Sequence, residues 1–236
     1  GARLFYSQRS TEPPVAPAPE PGEARPAALR RFILLTPGVA AVVAVNLLIG
    51  CVFGAIDVSV VAATTDWGVR SASGIVLAVF SAASGAAGLF YGARHWHSPL
   101  HGRFVVGVVA LFVSTVGLFV ASSVLLLTGV GVLVGLTVAP TLINGNTLIG
   151  RLVLRERLTE GLAWMGTGIG IGAATGSSLA GGLIDGHGYA VGFATVTAFA
   201  ALAAVIALAS WASVRRAEGL VAASDAPDSD RDTVFE

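Results

Sequence analysis

The sequence holds one ionisable residue, Asp57, well inside a long apolar stretch, where a charge is energetically costly. Asn46, Gly50, Gly54 and Asp57 are spaced four, four and three residues apart, which places them on one stripe of a helix. We therefore predict that Asp57 is a cavity-facing proton or cation site, with Asn46 and Gly50 along the same pathway. The alternative is that Asp57 lies near the end of its helix, hydrogen-bonded to a neighbouring helix or to water.

A second group of polar residues surrounds a proline in a later apolar stretch. Pro140 lacks a backbone N–H and favours a kink in a helix. Asn144 and Asn146 follow it and carry amide donors and acceptors. A bent helix with two amides suits the wall of a gated cavity that recognises a neutral or zwitterionic solute. The alternative is that the amides join helices to one another.

The most glycine-rich stretch of the chain contains Gly168, Gly172 and Gly176 at steps of four residues. With Gly170, it resembles a dinucleotide-binding loop in its letters, but no predicted strand precedes it, so we reject that interpretation. Small residues at steps of four let two helices approach closely. We predict that these glycines serve helix packing.

Two charged segments lie between apolar stretches. Glu160 follows Arg155-Glu156-Arg157 and is expected at a helix N-terminus, where a negative charge is favourable; the alternative is a charge pair that acts in gating. Arg94-His95-Trp96-His97 with His101 offers three imidazoles, but no cysteine or carboxylate lies nearby to complete a metal site. This segment is typical of a basic, aromatic anchor at a membrane surface. We predict neither a metal nor a cofactor.

The elements that must position these residues are unusually apolar. The 236 residues are 54% hydrophobic and 12% charged, whereas soluble domains carry about 25% charged residues. Six apolar segments each approach the roughly 20 residues that cross a bilayer as a helix. They are residues 32–62, 71–92, 104–122, 124–149, 160–184 and 189–213. We predict an all-α membrane protein, a bundle of six transmembrane helices.

The two ends of the chain differ from this apolar body. Residues 8–31 hold six of the ten prolines, and residues 217–236 are rich in aspartate. Neither end can bury enough apolar surface to become ordered. We predict a preceding helix end and a proline-rich linker in residues 1–31, a transmembrane domain in 32–213, and an acidic, disordered cytoplasmic tail in 214–236.

The arginines predict the orientation. If the six segments alternate in direction, 13 of the 14 arginines fall on one side and only Arg70 falls on the other. The positive-inside rule then places both termini in the cytoplasm. Because the sequence has no dense basic face, a nucleic-acid partner is not expected.

A weak internal repeat indicates a duplication. Ala82-Ala83-Ser84-Gly85 in the second segment matches Ala173-Ala174-Thr175-Gly176 in the fifth, 91 residues later. This offset equals three spans with their loops, so the bundle would consist of two inverted three-helix repeats. The alternative is a chance similarity between two stretches rich in alanine and glycine.

Four stretches of the sequence resemble the major facilitator superfamily (MFS) of transporters. They are Val45-Asn46-Leu-Leu-Ile-Gly50-Cys-Val-Phe-Gly54, Gly88-Leu-Phe-Tyr-Gly92-Ala-Arg94, Arg157-Leu-Thr-Glu160-Gly-Leu-Ala-Trp164, and Gly172-Ala-Ala-Thr-Gly176-Ser-Ser-Leu-Ala-Gly181-Gly182-Leu-Ile-Asp185. The last is similar to the family's antiporter glycine motif, although Ser177 stands where the motif usually has proline. Gly92 stands where the loop motif usually has aspartate. The chain is most similar to the C-terminal half of a bacterial drug or sugar efflux transporter.

This resemblance implies that the six helices are the seventh to twelfth of the family, and that the proline-rich segment is the central cytoplasmic loop. The first and fourth helices, which hold Asn46, Asp57, Asn144 and Asn146, would line the central cavity. The implied function is secondary transport of a small organic solute by alternating access, outward in exchange for protons, in the inner or plasma membrane. The implied partners are the lipid bilayer, the solute, protons and the missing N-terminal six-helix half.

Two other classes of protein are weighed against a transporter. An enzyme is not expected, because the chain has no phosphate-binding loop and lacks the Gly-x-Ser-Gly setting of a six-span serine protease. The second class is a six-span membrane subunit that transports nothing, and a truncated fragment of a transporter would behave in the same way.

Overall fold

A computed structural model describes residues 37–96, 98–153 and 157–216, and all regular secondary structure in these residues is helical. The all-α prediction is confirmed for this part of the chain. The α-helices are α1 (Pro37–Asp66), α2 (Ala72–Ala93), α3 (Leu100–Val116), α4 (Val124–Leu152), α5 (Leu158–His187) and α6 (Tyr189–Ala209), and a 3₁₀ turn at Gly117–Val120 follows α3. The predicted linker in residues 1–31 lies outside the described residues.

The helix ends differ from the predicted ends by a few residues. In the described range α1 begins at Pro37, whose missing N–H costs nothing in a first turn, and it continues four residues past the predicted end. α3 begins four residues before the predicted start. Helical backbone also continues through residues 211–216, and Val214 is buried there. Helical structure thus extends three residues into the predicted tail, and residues 217–236 lie outside the described part.

Five of the described helices are long and apolar enough to cross a membrane, namely α1, α2, α4, α6 and the combined segment Leu100–Val120. The protein is therefore a multi-pass membrane protein. α5 is 30 residues long but does not reach the same hydropathy, because it is rich in glycine and hydroxyl side chains. The fifth predicted segment, residues 160–184, therefore remains a predicted span.

α1 is the most buried helix and α2 is the least. In their most apolar windows, 67% of α1 is buried within the bundle, but only 11% of α2. Hydroxyl groups inside the apolar bundle bond to their own helix: Ser59 donates to the carbonyl of Ala55 at 2.6 Å, and Thr64 donates to that of Val60 at 2.9 Å. The burial of these hydroxyl groups therefore leaves no donor unsatisfied.

Glycines form a close seam between α1 and α5. A Cβ atom added to Gly172 would overlap the carbonyl oxygen of Leu47, and one added to Gly176 would overlap that of Cys51. In the opposite direction, a Cβ on Gly54 would overlap the carbonyl oxygen of Ala173. Each helix thus presents glycines to the backbone of the other, as small residues at steps of four allow.

The helix contacts pair the first three helices with the last three. α1 packs mainly on α5 and α6, and α4 packs mainly on α2 and α3. The two copies of the short sequence repeat do not make equivalent contacts. A Cβ on Gly85 of α2 would meet nothing within 4 Å, whereas Gly176 of α5 lies against α1. The matched glycines therefore occupy different surroundings.

Candidate functional site

Asn46 lies in the seam between α1 and α5. Its side chain is 2% exposed, and Nδ2 donates a hydrogen bond of 2.9 Å to the backbone carbonyl of Met165. A buried amide without a partner would cost about 1–3 kcal/mol, so this hydrogen bond makes its burial possible. Gly50, one turn later, is buried against the backbone of Ile169. Both residues form helix contacts, and their part in a solute pathway stays a prediction.

Asp57 is the exposed member of the predicted stripe. Its neighbours Ile56 and Ser59 are buried, so its exposure is not that of a frayed helix end. It lies nine residues before the end of α1, about 14 Å along the helix axis. Among the residues that the structure describes, no cation forms an ion pair with its carboxylate.

Asn144 and Asn146 lie on opposite sides of α4, because two residues turn a helix through about 200°. Asn144 is 2% exposed, and its Oδ1 accepts a 3.0 Å hydrogen bond from the hydroxyl of Tyr91 in α2. Asn146 is exposed. The two predicted amides therefore do not form one binding surface.

Met165 of α5 lies between Asn46 of α1 and Gly145 of α4. Its carbonyl accepts the hydrogen bond from Asn46, and its Cε lies 3.3 Å from where a Cβ on Gly145 would be. Asp57 lies eleven residues beyond Asn46, about 16 Å along α1. The structure thus brings Asn46 near residues 144–146 and places Asp57 at a different depth.

Pro140 lines a cavity of about 460 Å³ between α2, α3 and α4. α4 continues through the proline, and Thr141 donates a 2.6 Å hydrogen bond to the carbonyl of Thr137. Gly107 of α3 lies so close to α4 that a Cβ would be 2.6 Å from Oγ1 of Thr141. Asn144 also lines this cavity, which α1 and α5 do not reach.

Glu160 lies in the first turn of α5, where the sequence predicted it. Its carboxylate forms a 3.0 Å ion pair with Arg157, three residues earlier. Both side chains are partly exposed, so the pair stabilises the helix start by a few tenths of a kcal/mol at most. A role in gating stays a prediction.

Three residues of these sites were not singled out by sequence reasoning. Tyr91 bonds to Asn144, Met165 bonds to Asn46, and Arg103 lines the cavity beside Pro140. Tyr91 and Arg103 carry a usable signal, because a tyrosine and an arginine flank one loop at the ends of two apolar segments. Met165 acts through its backbone carbonyl, which gives no signal in the sequence.

Comparison with known proteins gives one result that covers most of the chain. No curated protein sequence matches this chain. The family model described as Major Facilitator Superfamily matches residues 42–232, which include all six described helices from the first turns of α1 onward. Because this match spans well over half of the 236 residues, the chain belongs to the major facilitator superfamily of membrane transporters.

Proposed function

We propose that this chain is the C-terminal six-helix half of a secondary transporter that exports a small organic solute in exchange for protons. The observation that carries the proposal is the exposed carboxylate of Asp57, which lies about 14 Å from the end of the largely apolar helix α1. A carboxylate that faces lipid costs up to about 2.5–3.5 kcal/mol on insertion scales, the value at the centre of a spanning helix. Asp57 is therefore expected to face a water-filled cavity between this half and a second one.

Exposed polar side chains on the helices beside α1 support such a cavity. α4 and α5 both contact α1. α4 exposes Asn146 and Thr147, and α5 exposes Thr167 and Ser178. These groups offer hydrogen bonds to a solute, and Asp57 offers the charge that a proton can neutralise.

The exposure of α2 supports the proposal that a second six-helix half packs against it. Its exposed residues include Ser81, Ala82, Gly85 and Ala86, which are small enough for close helix contact. In the proposed transporter, this face of α2 packs against helices of the N-terminal half. We further propose six spans in two inverted three-helix repeats, which the pairing of α1 with α5 and α6, and of α4 with α2 and α3, supports.

The distribution of arginines supports the proposed orientation. Arg94 and Arg103 flank the loop between α2 and α3, Arg151 and Arg157 flank the loop between α4 and α5, and Arg215 follows α6. In a bundle whose helices alternate in direction, these loops lie at one end, and Arg70 lies at the other. We propose that the arginine-rich end is cytoplasmic and that the protein resides in the inner or plasma membrane.

Cysteine labelling tests the water-filled cavity. The chain has a single cysteine, Cys51, which is buried and should not react. Asp57→Cys should react with a membrane-impermeant maleimide in membranes that contain the complete transporter, because only a thiol in contact with water forms the reactive thiolate. Val113→Cys is the matched control, since Val113 is 62% exposed on the apolar surface of α3 and should face lipid.

Labelling of Asp57→Cys at least ten times faster than that of Val113→Cys would support the proposal. Equal labelling would refute it and would favour a membrane subunit without a transport pathway. Proton coupling is tested separately in proteoliposomes: Asp57→Asn should abolish solute-driven proton flux while the protein still folds. Unchanged flux would remove Asp57 from the proton pathway.

A further inference from the structure

We propose that the cavity between α2, α3 and α4 binds an anionic phospholipid. Its mouth lies between the C-terminal end of α2 and the N-terminal end of α3, and Trp96, Ser98 and Arg103 line it. Its inner part is lined by Ala110 and Leu136. At about 460 Å³ it is within the usual range of ligand sites and can hold a headgroup with the first part of an acyl chain.

Arginine and tryptophan side chains organise the mouth of the cavity. Trp96 stacks on Tyr91 with ring centroids 4.5 Å apart, and its Nε1 donates a 3.0 Å hydrogen bond to the carbonyl of Tyr91. The guanidinium carbons of Arg94 and Arg103 lie 5.1 and 5.8 Å from the centroid of the Trp96 ring. The ring thus holds both positive charges close to the opening.

Arg103 has an N–H group, at Nε, that forms no hydrogen bond within the described residues. Its Nε is buried, and no hydrogen-bond acceptor within the described residues reaches it. A buried N–H of a guanidinium is costly without an acceptor, so a small movement of the Arg103 side chain that brings Nε to an oxygen of an occupant would stabilise it. A phosphate oxygen has the charge and geometry that a guanidinium prefers.

The charge around the cavity favours an anionic occupant. The sequence has no aspartate or glutamate from residue 67 through residue 155, which includes every residue that lines the cavity. The positive charges of Arg94 and Arg103 are therefore not balanced by a carboxylate of the same helices. Basic pockets between helices at a membrane surface are suited to acidic lipid headgroups.

The apolar side of the cavity indicates that the anion carries an acyl chain. Val106 is 68% exposed and Leu136 is 44% exposed, and both line the cavity. Ala110 lies ten residues after the start of α3, about 15 Å deeper along the helix. A soluble anion would leave this apolar wall in contact with water, whereas a lipid covers it.

This inference does not rest on the proposed transport function. α1 and α5, which hold Asp57 and the glycine seam, contribute no residue to the cavity. Loss of lipid binding and loss of solute flux are therefore separate outcomes that separate measurements detect.

Quenching of Trp96 fluorescence tests the proposal. The full chain, with Trp67, Trp164 and Trp211 changed to Phe, is placed in nanodiscs that contain phosphatidylglycerol brominated near the headgroup end of its acyl chains. A second set of nanodiscs contains brominated phosphatidylcholine at the same mole fraction. We expect stronger quenching by phosphatidylglycerol. Arg103→Gln should lower this preference about fivefold, the effect of one positive charge near the surface.

Three further variants distinguish a specific lipid-binding site from general electrostatic attraction between anionic lipids and the protein surface. Arg215→Gln removes a positive charge at the end of α6, outside the cavity, and should leave the preference within about twofold. Arg103→Lys keeps the charge but lacks the guanidinium, so its preference should lie between those of the unchanged protein and of Arg103→Gln. Val106→Phe narrows the exposed apolar side without a change of charge and should weaken quenching by phosphatidylglycerol even if Arg103→Gln fails to fold.

Equal quenching by the two lipids would overturn the proposal. So would equal effects of Arg103→Gln and Arg215→Gln, which would indicate diffuse surface attraction. Full competition by millimolar glycerol phosphate, which has the headgroup chemistry without an acyl chain, would show that the cavity takes a soluble anion instead.

Discussion

The glycine seam between α1 and α5 predicts a graded response to alanine at neighbouring positions of α5. At Gly172, a Cβ would overlap the carbonyl oxygen of Leu47, and the nearest atoms belong to backbone that cannot rotate away. The two helices must then separate by roughly 1 Å, which forfeits a quarter to a half of the dispersion attraction between the atoms concerned. Overpacking of this kind costs about 1–3 kcal/mol. We expect Gly172→Ala and Gly176→Ala to lower the free energy of unfolding by that amount.

Two positions on the same helix provide matched controls. A Cβ on Gly170 would meet nothing within 4 Å, and one on Gly168 would lie 3.6 Å from the carbonyl oxygen of Val43, an ordinary contact. Both alanine variants should be neutral or stabilising by up to about 1 kcal/mol, because alanine favours the helix.

Thermal unfolding in detergent, followed by tryptophan fluorescence at one fixed scan rate, measures the series. The four tryptophans of the chain provide the signal. At about 2–4 °C per kcal/mol, Gly172→Ala and Gly176→Ala should lower Tm by about 2–12 °C, whereas Gly170→Ala should not lower it. If Gly170→Ala and Gly172→Ala shift Tm equally, the loss reflects glycine content and not the seam, and the reasoning fails.

Three smaller effects follow from the hydrogen bonds and the ion pair. Asn46→Ala removes the bond to Met165 and should cost about 0.6 kcal/mol, the average for polar contacts between membrane helices, measured as a Tm shift of about 1–2 °C; a gain in Tm would contradict the assigned bond. Tyr91→Phe leaves Oδ1 of Asn144 without its donor and should lower Tm by a similar amount, and an unchanged Tm would mean that water or lipid replaces the hydroxyl. Glu160→Gln should cost at most about 0.5 kcal/mol in low salt and nothing in 1 M NaCl, so a loss that persists in high salt would refute a screened surface pair.

The helices could be predicted from the sequence because each apolar segment has one economical structure in lipid. A chain that crosses hydrocarbon must satisfy its backbone internally, and only a helix does so over about 20 residues. The helix ends were harder to predict, because packing just outside an apolar segment also affects them; Val214, for example, is helical and buried just after the predicted end of the last segment. α5 was predicted as a span from its length, but its glycines lower its hydropathy, and two of them, Gly172 and Gly176, lie against the backbone of α1.

The candidate site could be predicted only in part. The spacing of Asn46, Gly50, Gly54 and Asp57 predicts one stripe of α1, but a stripe of small and polar residues suits both a helix contact and a solute pathway. Which one applies depends on the helix that packs against it, and this information lies more than 100 residues away, at Met165. Likewise, Asn144 and Asn146 are neighbours in sequence, but the turn of the helix separates them.

Within one turn of α1, the stripe passes from Gly54, which is buried against α5, to Asp57, which is exposed. This difference relates the packing of α1 to the proposed function of Asp57. Gly54 lies against the backbone of α5, and the seam continues through Val58, which lies near Gly181. Asp57 is one residue before Val58, so its side chain is turned by about 100° from the seam and emerges beside it. The seam is built from backbone and glycines in close contact, so even a small change in the packing of α5 on α1 alters the surroundings of the groups at its edge. In the proposed transporter, the carboxylate of Asp57 at this edge is therefore placed where a change in helix packing would change its contact with water.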